Sequence, residues 1–421
     1  MGGAHNPEAL PATLPHDWDG LVVVCGGAPW DGHRLAGRHM AERLAVYTPV
    51  LYVDPPLSHL TPRLHPHLAP SLEGPRLRLL GPSLARLTPL VQPGSHRPGM
   101  RAFGQAFVRH ALRGAVKQLG ARVRAVVVIG QRDLLGACDE EQRVLYVTDD
   151  FAAGAGLMGV SARYLRRVEQ RLLRRATHVV VCSPGLADKF RARGVDPIFV
   201  PNGVDAELFA GTDSAPLPDD VDLPPPIVGF VGHLSNRIDL GMLEAVAERG
   251  HSLLLVGPRQ RTFQLQRLTA LLERPSVRWV GPKPFEQLPS YLRMIDVGLV
   301  PYSDSSFNRA SFPLKTLEYL AAGRAAVATD LPAVRWLDTD HVRVASDSSR
   351  FADEVDQVLG EGLGPAQIAL RREFAAGHGW DQRAATFAQA LGIRNEGGRT
   401  PLRARTAPEA VRASHSPGLP S

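Results

Sequence analysis

The segment Pro313 to Gly323 reads PLKTLEYLAAG and carries the clearest chemistry in the chain. Lys315 and Glu318 are three residues apart, which puts a cation and a carboxylate on one side of a helix. Pro313 suits a first helical turn, where its missing N–H costs nothing. Leu314, Leu317, Leu320 and Ala321 repeat at helical spacing, and Gly323 supplies a stop. Free N–H groups around Leu314 and Thr316, together with the helix dipole, favour an anion such as a pyrophosphate. Lys315 is unfavourable for the helix alone in that first turn and makes sense opposite an anion. A carboxylate at Glu318 can accept two hydrogen bonds from a ribose diol. The plainer alternative is a surface βαβ unit with a Lys–Glu pair.

A second chemical pair is Asp149-Asp150, directly after the apolar run Val144 to Thr148. Carboxylates at the C-terminal end of a buried strand reach the region where open α/β folds bind ligands. One of them can act as a general base on a hydroxyl. Neighbours on a strand face opposite ways, so at most one faces a substrate. The alternative is a cap for the following helix.

These residues need a scaffold of buried strands alternating with helices. Val297 to Tyr302 and Ala325 to Thr329 are apolar runs on either side of the 313–323 helix, with an aperiodic polar loop over Ser303 to Ser311. Helices between consecutive strands imply parallel sheets. In the first half, Leu21 to Cys25, Val50 to Val53, Ala125 to Ile129, Val144 to Thr148 and His178 to Cys182 read as strands. In the second, Ile227 to Val231, Ser252 to Val256 and Val277 to Val280 join them. The Pro- and Asp-rich stretch 210–226 reads as a linker and domain boundary. At 421 residues the chain exceeds what one core usually supports. Residues 1–17 and 394–421 are poor in core-forming residues and are expected to lack fixed structure.

Two strings carry a resemblance to a known family. PLKTLEYLAAGRAAVATD is similar to the donor-site segment of GT-B glycosyltransferases, close to glycosyltransferase family 4 and its teichuronic-acid and polysaccharide-assembly subgroup. PNGVDAELF, over 201–209, is similar to the turn that closes the N-terminal domain in that family. The resemblance covers most of 18–392. It implies an α/β protein of GT-B architecture, with two doubly wound Rossmann-like domains facing a cleft. Residues 18–209 would form the acceptor side and 227–376 the nucleotide-sugar side, with a helix over 380–392 crossing back. It further implies that Gly232 and, near the family's lysine position, Arg237 meet the donor pyrophosphate with Leu314, Lys315 and Thr316. Glu318 matches the family's ribose-binding glutamate. The companion glutamate eight positions earlier is replaced by Ala310 (318 − 8 = 310), with Asn308, Arg309 or Ser311 as candidate substitutes. The loop after the first strand faces the acceptor in such enzymes, which makes Trp30, Asp31, His33 and Arg34 acceptor-side candidates. Packing of Trp30 and solvation of the charges is the alternative.

The resemblance therefore implies transfer of a sugar from a nucleotide-diphosphate donor to a hydroxyl of a glycan or lipid-linked acceptor in surface polysaccharide assembly. It calls for no metal and no other cofactor. A nucleotide-sugar epimerase, or a non-catalytic sugar-nucleotide or glycan binder, is the competing reading. The loss of the glutamate at Ala310 favours inversion, with Asp149 or Asp150 as base; with retained configuration the leaving phosphate takes the proton and neither aspartate is essential.

Composition narrows the partners. Net charge is +6 and aromatic residues make up 6% of the chain. Basic residues are not interleaved with aromatics, which argues against nucleic acid. The periodicity from Arg101 to Leu119 places Phe103, Phe107, Ala111, Val116 and Leu119 on one side of a basic helix. That face is either core or a contact with anionic membrane. No apolar run reaches membrane-spanning length and no leader-like segment opens the sequence. Cys25, Cys138 and Cys182 are widely spaced, as expected of small buried residues in a reducing cytoplasm.

Overall fold

The computed structural model describes residues 17–393 other than 33, 96 and 98. The expectations for 394–421, and for 1–17 apart from residue 17, fall outside the described residues. The first sheet contains β1 Leu21–Cys25, β2 Val50–Val53, β3 Leu77–Gly81, β4 Leu84–Leu87, β5 Val123–Ile129, β6 Gln142–Val147, β7 His178–Val181 and β8 Ile198–Phe199. Their spatial order is β3-β4-β2-β1-β5-β6-β7-β8, parallel except for the β3–β4 pair. The second sheet contains β9 Ile227–Val231, β10 Ser252–Val256, β11 Val277–Trp279, β12 Val297–Val300, β13 Ala325–Thr329 and β14 Val342–Ala345. Its order is β11-β10-β9-β12-β13-β14, parallel throughout. Central strands such as β1, β9 and β10 are buried along their whole length. Helices cover both faces of such sheets, so the strands read as unbroken apolar runs.

The two domains are joined by the turn after β8 and by the last helix, Trp380–Ala390. Val204 donates its N–H to His378 O at 3.0 Å. A Cβ on Gly203 would lie 2.8 Å from Trp380 N, so only glycine allows this backbone approach. The Trp380 ring stacks on His39 of the first domain at 4.9 Å, and Gln142 donates to Leu391 O at 3.1 Å. The last helix thus packs back onto the first sheet.

Three local readings of the sequence differ from the structure. Residues 303–311 are not all loop: Ser306–Ala310 is a short helix whose cap, Ser305, accepts the Asn308 N–H at 3.2 Å. One capping hydroxyl substitutes for the missing apolar period. The 210–226 stretch is not a free linker. Asp213 takes hydrogen bonds from Arg324 at 2.9 Å and Arg372 at 2.6 Å, and Asp220 pairs with Lys283 at 2.5 Å. Its acids find cations on the second domain, which composition cannot show. In the helix Arg101–Gln118 the buried stripe is Gly104, Val108, Leu112 and Ala115. Phe103 and Phe107 face solvent instead, because the glycine turns the backbone against the domain at Ser95 and displaces the core stripe by one position.

The second sheet divides at the centre, between β9 and β12. These strands pair only at Val228–Val297 and Gly229–Gly298. Beyond that point the Val231 N–H donates to the Tyr319 hydroxyl at 2.8 Å, and this hydroxyl lies 3.3 Å from both Gly229 O and Leu299 O. The Tyr319 ring lies flat over Gly298, where a Cβ would come within 2.2 Å of Tyr319 Cγ. The tyrosine plugs the opening between the strands and fixes its helix, Leu314–Ala321, against the sheet edge. Tyr319→Phe leaves a buried N–H without a partner and should cost about 1–3 kcal/mol of folding stability. Chemical denaturation would measure this; a midpoint equal to wild type would remove the plug from the account.

Candidate active site

The Leu314–Ala321 helix follows the central strand β12, so its start projects from the C-terminal edge of the second sheet. Pro313 is its N-cap rather than its first residue, and no side chain caps it. The Thr316 N–H, expected to be free, donates to Pro313 O at 3.1 Å, so the amides of Leu314 and Lys315 are the ones left for a ligand at this helix start. The Lys315 stem lies on Gly232, where a Cβ would stand 2.3 Å from Lys315 Cε. Gly232 is held in turn by its N–H on Val256 O at 2.7 Å, and Gly257 by its N–H on Gly281 O at 2.8 Å. Gly257 has φ +133°, and a Cβ there would meet Gly232 O at 2.0 Å. The loops after β9, β10 and β11 are stacked backbone on backbone beside Lys315. Among the described residues Lys315 has no hydrogen bond and no ion pair.

Glu318 sits one turn later, also without a hydrogen-bond partner among the described residues. Burial holds its carboxyl above the usual carboxylate range, against the pull of the Lys315 charge. The Thr316 side chain is fully buried and its Oγ1 has no partner. A cation, a carboxylate and a hydroxyl are thus left unsatisfied on adjacent turns. Buried polar groups are normally paired, and groups left open mark a place where something else binds.

Arg237, in the loop after β9, is not a solvated residue. Its Nε donates to Asn308 Oδ1 at 3.1 Å, and its guanidinium lies 4.9 Å from the ring centres of Tyr302 and Phe307. Asn308 is buried, and its Nδ2 donates to Arg237 O at 2.9 Å and Ser303 O at 2.8 Å. Asn308 is therefore used up in joining the loops after β9 and β12. Arg309 is exposed and pairs with Asp304 at 2.6 Å. Of the candidates to substitute for the missing glutamate, only Ser311 faces the other domain.

The first domain meets this edge through several contacts. Ser183, after β7, donates to Ala310 O at 2.5 Å. Gly154 lies beneath the Phe307 ring, where a Cβ would be 2.6 Å from it. Ser311 Oγ lies 3.1 Å from Asp149 Oδ1 and 3.0 Å from Phe307 O. The adjacent aspartates part company as a strand end requires. Asp150 accepts the Ala153 N–H at 3.0 Å and pairs with Lys189 at 2.9 Å; it closes the turn ahead of the helix Ala155–Met158, whose N-cap is Gly154 with no side-chain bond, so the capping alternative is not met. Asp149 faces the second domain. Burial raises its carboxyl, opposed by the Arg237 charge and the Ser311 hydrogen bond, while the Asp150 charge adds to the rise.

The acceptor-side candidates are tied into the first domain. Trp30 is buried, its N–H donates to Asp54 Oδ1 at 2.7 Å, and its ring meets Tyr52 edge-on at 5.0 Å. Asp31 accepts from Arg86 and Ser71, both at 2.7 Å. Burial would raise the Asp31 carboxyl, but these bonds and the charges of Arg86 and Arg78 hold it below the usual range. Arg34 pairs with Glu42 at 2.5 Å and lies 5.7 Å from the Phe285 ring of the second domain. These three side chains are engaged in holding the structure, because the buried Arg86 and the aromatic Tyr52 stand beneath the loop. His33 lies outside the described residues.

Sequence reasoning passed over Tyr319 and Ser183, and for Thr316 it offered the backbone N–H rather than the buried side chain. A signal for Tyr319 existed: a glycine in the middle of a buried strand, as at Gly229 and Gly298, marks a close approach. Ser183 carries no such mark. Among the described residues no group of three or more His, Cys, Asp and Glu side chains is placed to hold a metal ion.

Comparison with known proteins agrees with this geometry. Residues 225–361 match the family described as glycosyl transferases group 1, and 152–208 match glycosyltransferase family 4. TuaH of Bacillus subtilis (strain 168), assigned as a teichuronic acid biosynthesis glycosyltransferase, is 30% identical over 264 residues. The match covers 59% of this chain and 66% of that relative, so the chain spans just under two thirds of its length. Among solved structures, sucrose-phosphate synthase from Thermosynechococcus elongatus superposes with a TM-score of 0.70 at 16% identity, over 88% of this chain and 98% of that one. Anabaena HepE in complex with UDP and glucose gives 0.63 at 16% identity, over 89% and 100%. At those identities the structural likeness speaks for the fold alone. Two family models, the Bacillus relative and the paired parallel sheets agree: the chain has the GT-B fold and is similar to glycosyltransferases of the group 1 and family 4 types over the residues they match.

Proposed function

We propose that this chain moves a sugar from a nucleoside-diphosphate donor to a hydroxyl of a glycan or lipid-linked acceptor in surface polysaccharide assembly. The observation that carries the reading is the uncapped helix start at Leu314, with Lys315 lying on Gly232 and Glu318 left unpartnered one turn on. HepE was crystallised with UDP and glucose, and TuaH is named for teichuronic acid synthesis; both fit such a substrate class. The helix amides and Lys315 would hold the diphosphate and stabilise it as it leaves. Glu318 would accept the ribose hydroxyls. No metal enters this scheme. Asp149, across the cleft, would take the acceptor proton as the hydroxyl attacks the anomeric carbon from the face opposite the leaving group. A nucleotide-sugar donor and three free cysteines fit a cytoplasmic protein at the inner face of the membrane.

Donor binding tests the reading directly. Glu318→Ala should weaken donor binding by about 1–3 kcal/mol in calorimetry, the scale of charged hydrogen bonds. Unchanged affinity would take Glu318 out of the site. The folded-state carboxyl titrates above its unfolded value, so ionising it costs the empty protein stability as pH rises through that window. Glu318→Gln should therefore leave the apo protein at least as stable as wild type at neutral pH.

Lys315→Ala should cost more affinity for a nucleoside diphosphate than for the free nucleoside, because only the former offers charge to a cation. Equal losses for the two ligands would contradict the assignment.

The two aspartates separate the chemistry. Asp149→Asn should lower turnover by roughly two to four powers of ten with donor binding intact. Asp150→Asn should act mainly on stability through Lys189 and the Ala153 turn. Because burial raises the Asp149 carboxyl, wild-type turnover should fall with decreasing pH above the ordinary aspartate range, and Asp149→Asn should lack that limb. Wild-type turnover in Asp149→Asn, or a product of retained configuration, would rule out the base assignment.

A further inference from the structure

A cavity of about 160 Å³ lies at the edge of the second sheet opposite the candidate site. Its wall is Val297 at the start of β12, Ala325 at the start of β13 and Val358 of the helix Ser348–Glu361. Parallel strands begin at this edge, so the cavity faces away from the cleft at their C-terminal ends. Exposed Pro226 and Gly362 stand at its mouth beside Leu363. The volume is that of about five water molecules, enough for a small organic molecule.

A buried cation lines this cavity. Arg371, on the helix Pro365–Ala376, is only 4% exposed. It has no ion pair among the described residues. Its Nη1 donates to Gly323 O and its Nη2 to Gln367 Oε1, both at 3.3 Å, which is long for such bonds. Its Nε has no partner. Burial lowers the guanidinium from the usual arginine range, the Glu361 charge opposes this, and the Arg324 charge adds to it. Buried charges are normally paired, so a lone cation beside a cavity points to an anionic ligand. Asp296 also lines the cavity but does not serve Arg371. Its Oδ2 accepts the Ile227 N–H at 2.7 Å, and its charge acts on Arg324. Asp296 Oδ1 has no hydrogen bond among the described residues.

We propose that this cavity binds a small hydroxycarboxylate, with its carboxylate on Arg371 Nε and a hydroxyl donating to Asp296 Oδ1. The two charges in the lining decide the class. A guanidinium calls for an anion. A carboxylate in the same lining repels a compact, multiply charged ion such as phosphate and accepts a hydroxyl. The wall of Val297, Ala325 and Val358 takes the carbon chain. The occupant would also act on the helix Leu314–Ala321. Arg371 bonds Gly323 O, and its neighbour Arg372 donates to Ala322 O at 3.4 Å, so the two arginines hold the C-terminal end of that helix. An anion that orders Arg371 steadies the far end of the helix whose first turn carries Lys315, and so favours donor binding. This coupling rests on the proposed function; the binding itself does not.

The test titrates the full chain with glycerate in calorimetry, without donor or acceptor. Glycerate should bind with a Kd of about 1 mM or tighter. Glycerol, which lacks the carboxylate, and inorganic phosphate should each bind roughly tenfold more weakly or worse. Arg371→Met keeps the apolar stem, removes the charge, and should weaken glycerate binding roughly tenfold or more. Leu363→Trp crowds the mouth without touching Arg371 and should weaken it as well, which keeps the test decisive if Arg371→Met does not fold. No binding of glycerate, equal binding of glycerol or phosphate, or wild-type affinity in either folded variant would overturn the proposal. With glycerate saturating, the affinity for UDP should rise about fivefold or more. Unchanged UDP affinity while glycerate binds sinks the coupling alone. Failure of UDP to bind at all sinks the donor reading and leaves the glycerate site standing.

Discussion

The position of the Leu314–Ala321 helix depends on one contact, the Tyr319 ring lying on Gly298 with its hydroxyl between β9 and β12. A parallel sheet that reverses strand order must open at that point, and the opening exposes backbone groups that need partners. Here a tyrosine from the following helix supplies the partner. The same contact sets the depth and rotation of the helix, and so places Lys315 on Gly232 and Glu318 one turn behind it. A side chain on Gly298 would lift the helix away from the edge on which the site is built.

Pairing separates the groups that hold the structure from those left for a ligand. Asp31, Asp54 and Arg86 form a dense network in the first domain: Asp54 Oδ2 accepts from Arg86 and from Thr88, each at 2.7 Å. Each member is satisfied, and breaking the set would strand a buried charge. Lys315, Thr316 and Glu318 form the opposite case, a set of polar groups with open valences on one short helix. A fold gains nothing from such a set by itself. Asp149 lies between the two cases, with a single hydroxyl partner and a cation nearby, which leaves one oxygen for a substrate.

The same criterion explains Ala310. The segment that carries it is bound to the first domain through its carbonyl on Ser183, and Gly185 allows Arg309 O to approach where a Cβ would stand 2.2 Å away. Backbone contacts between the domains thus fix this segment, and Ala310 itself adds no polar side chain there. The carboxylate nearest this junction comes from the other domain, as Asp149.

Much was legible in the sequence because it depends on neighbours along the chain. Unbroken apolar runs specify strands buried on both faces, and the spacing of Leu314, Leu317 and Leu320 specifies a helix. Together they determined the α/β class, the place of the helix and the presence of Lys315 and Glu318 on one side of it. The sequence also narrowed Asp149 and Asp150 to one functional partner without choosing, since alternation gives opposite faces but no absolute direction. The choice came from Lys189 and Ser311, which lie 39 and 162 positions away from their partners. The partners of Trp30, Asp31 and Arg34 were out of reach for the same reason: Tyr52, Arg86 and Phe285 are remote in sequence and adjacent in space. The outward turn of Phe103 and Phe107 followed from packing against Gly104, a matter of one position in the helix register. Local pattern determines which elements form. Which side of each element becomes core, clasp or site is decided only when distant segments meet, because charge pairing and close packing act through space and not along the chain.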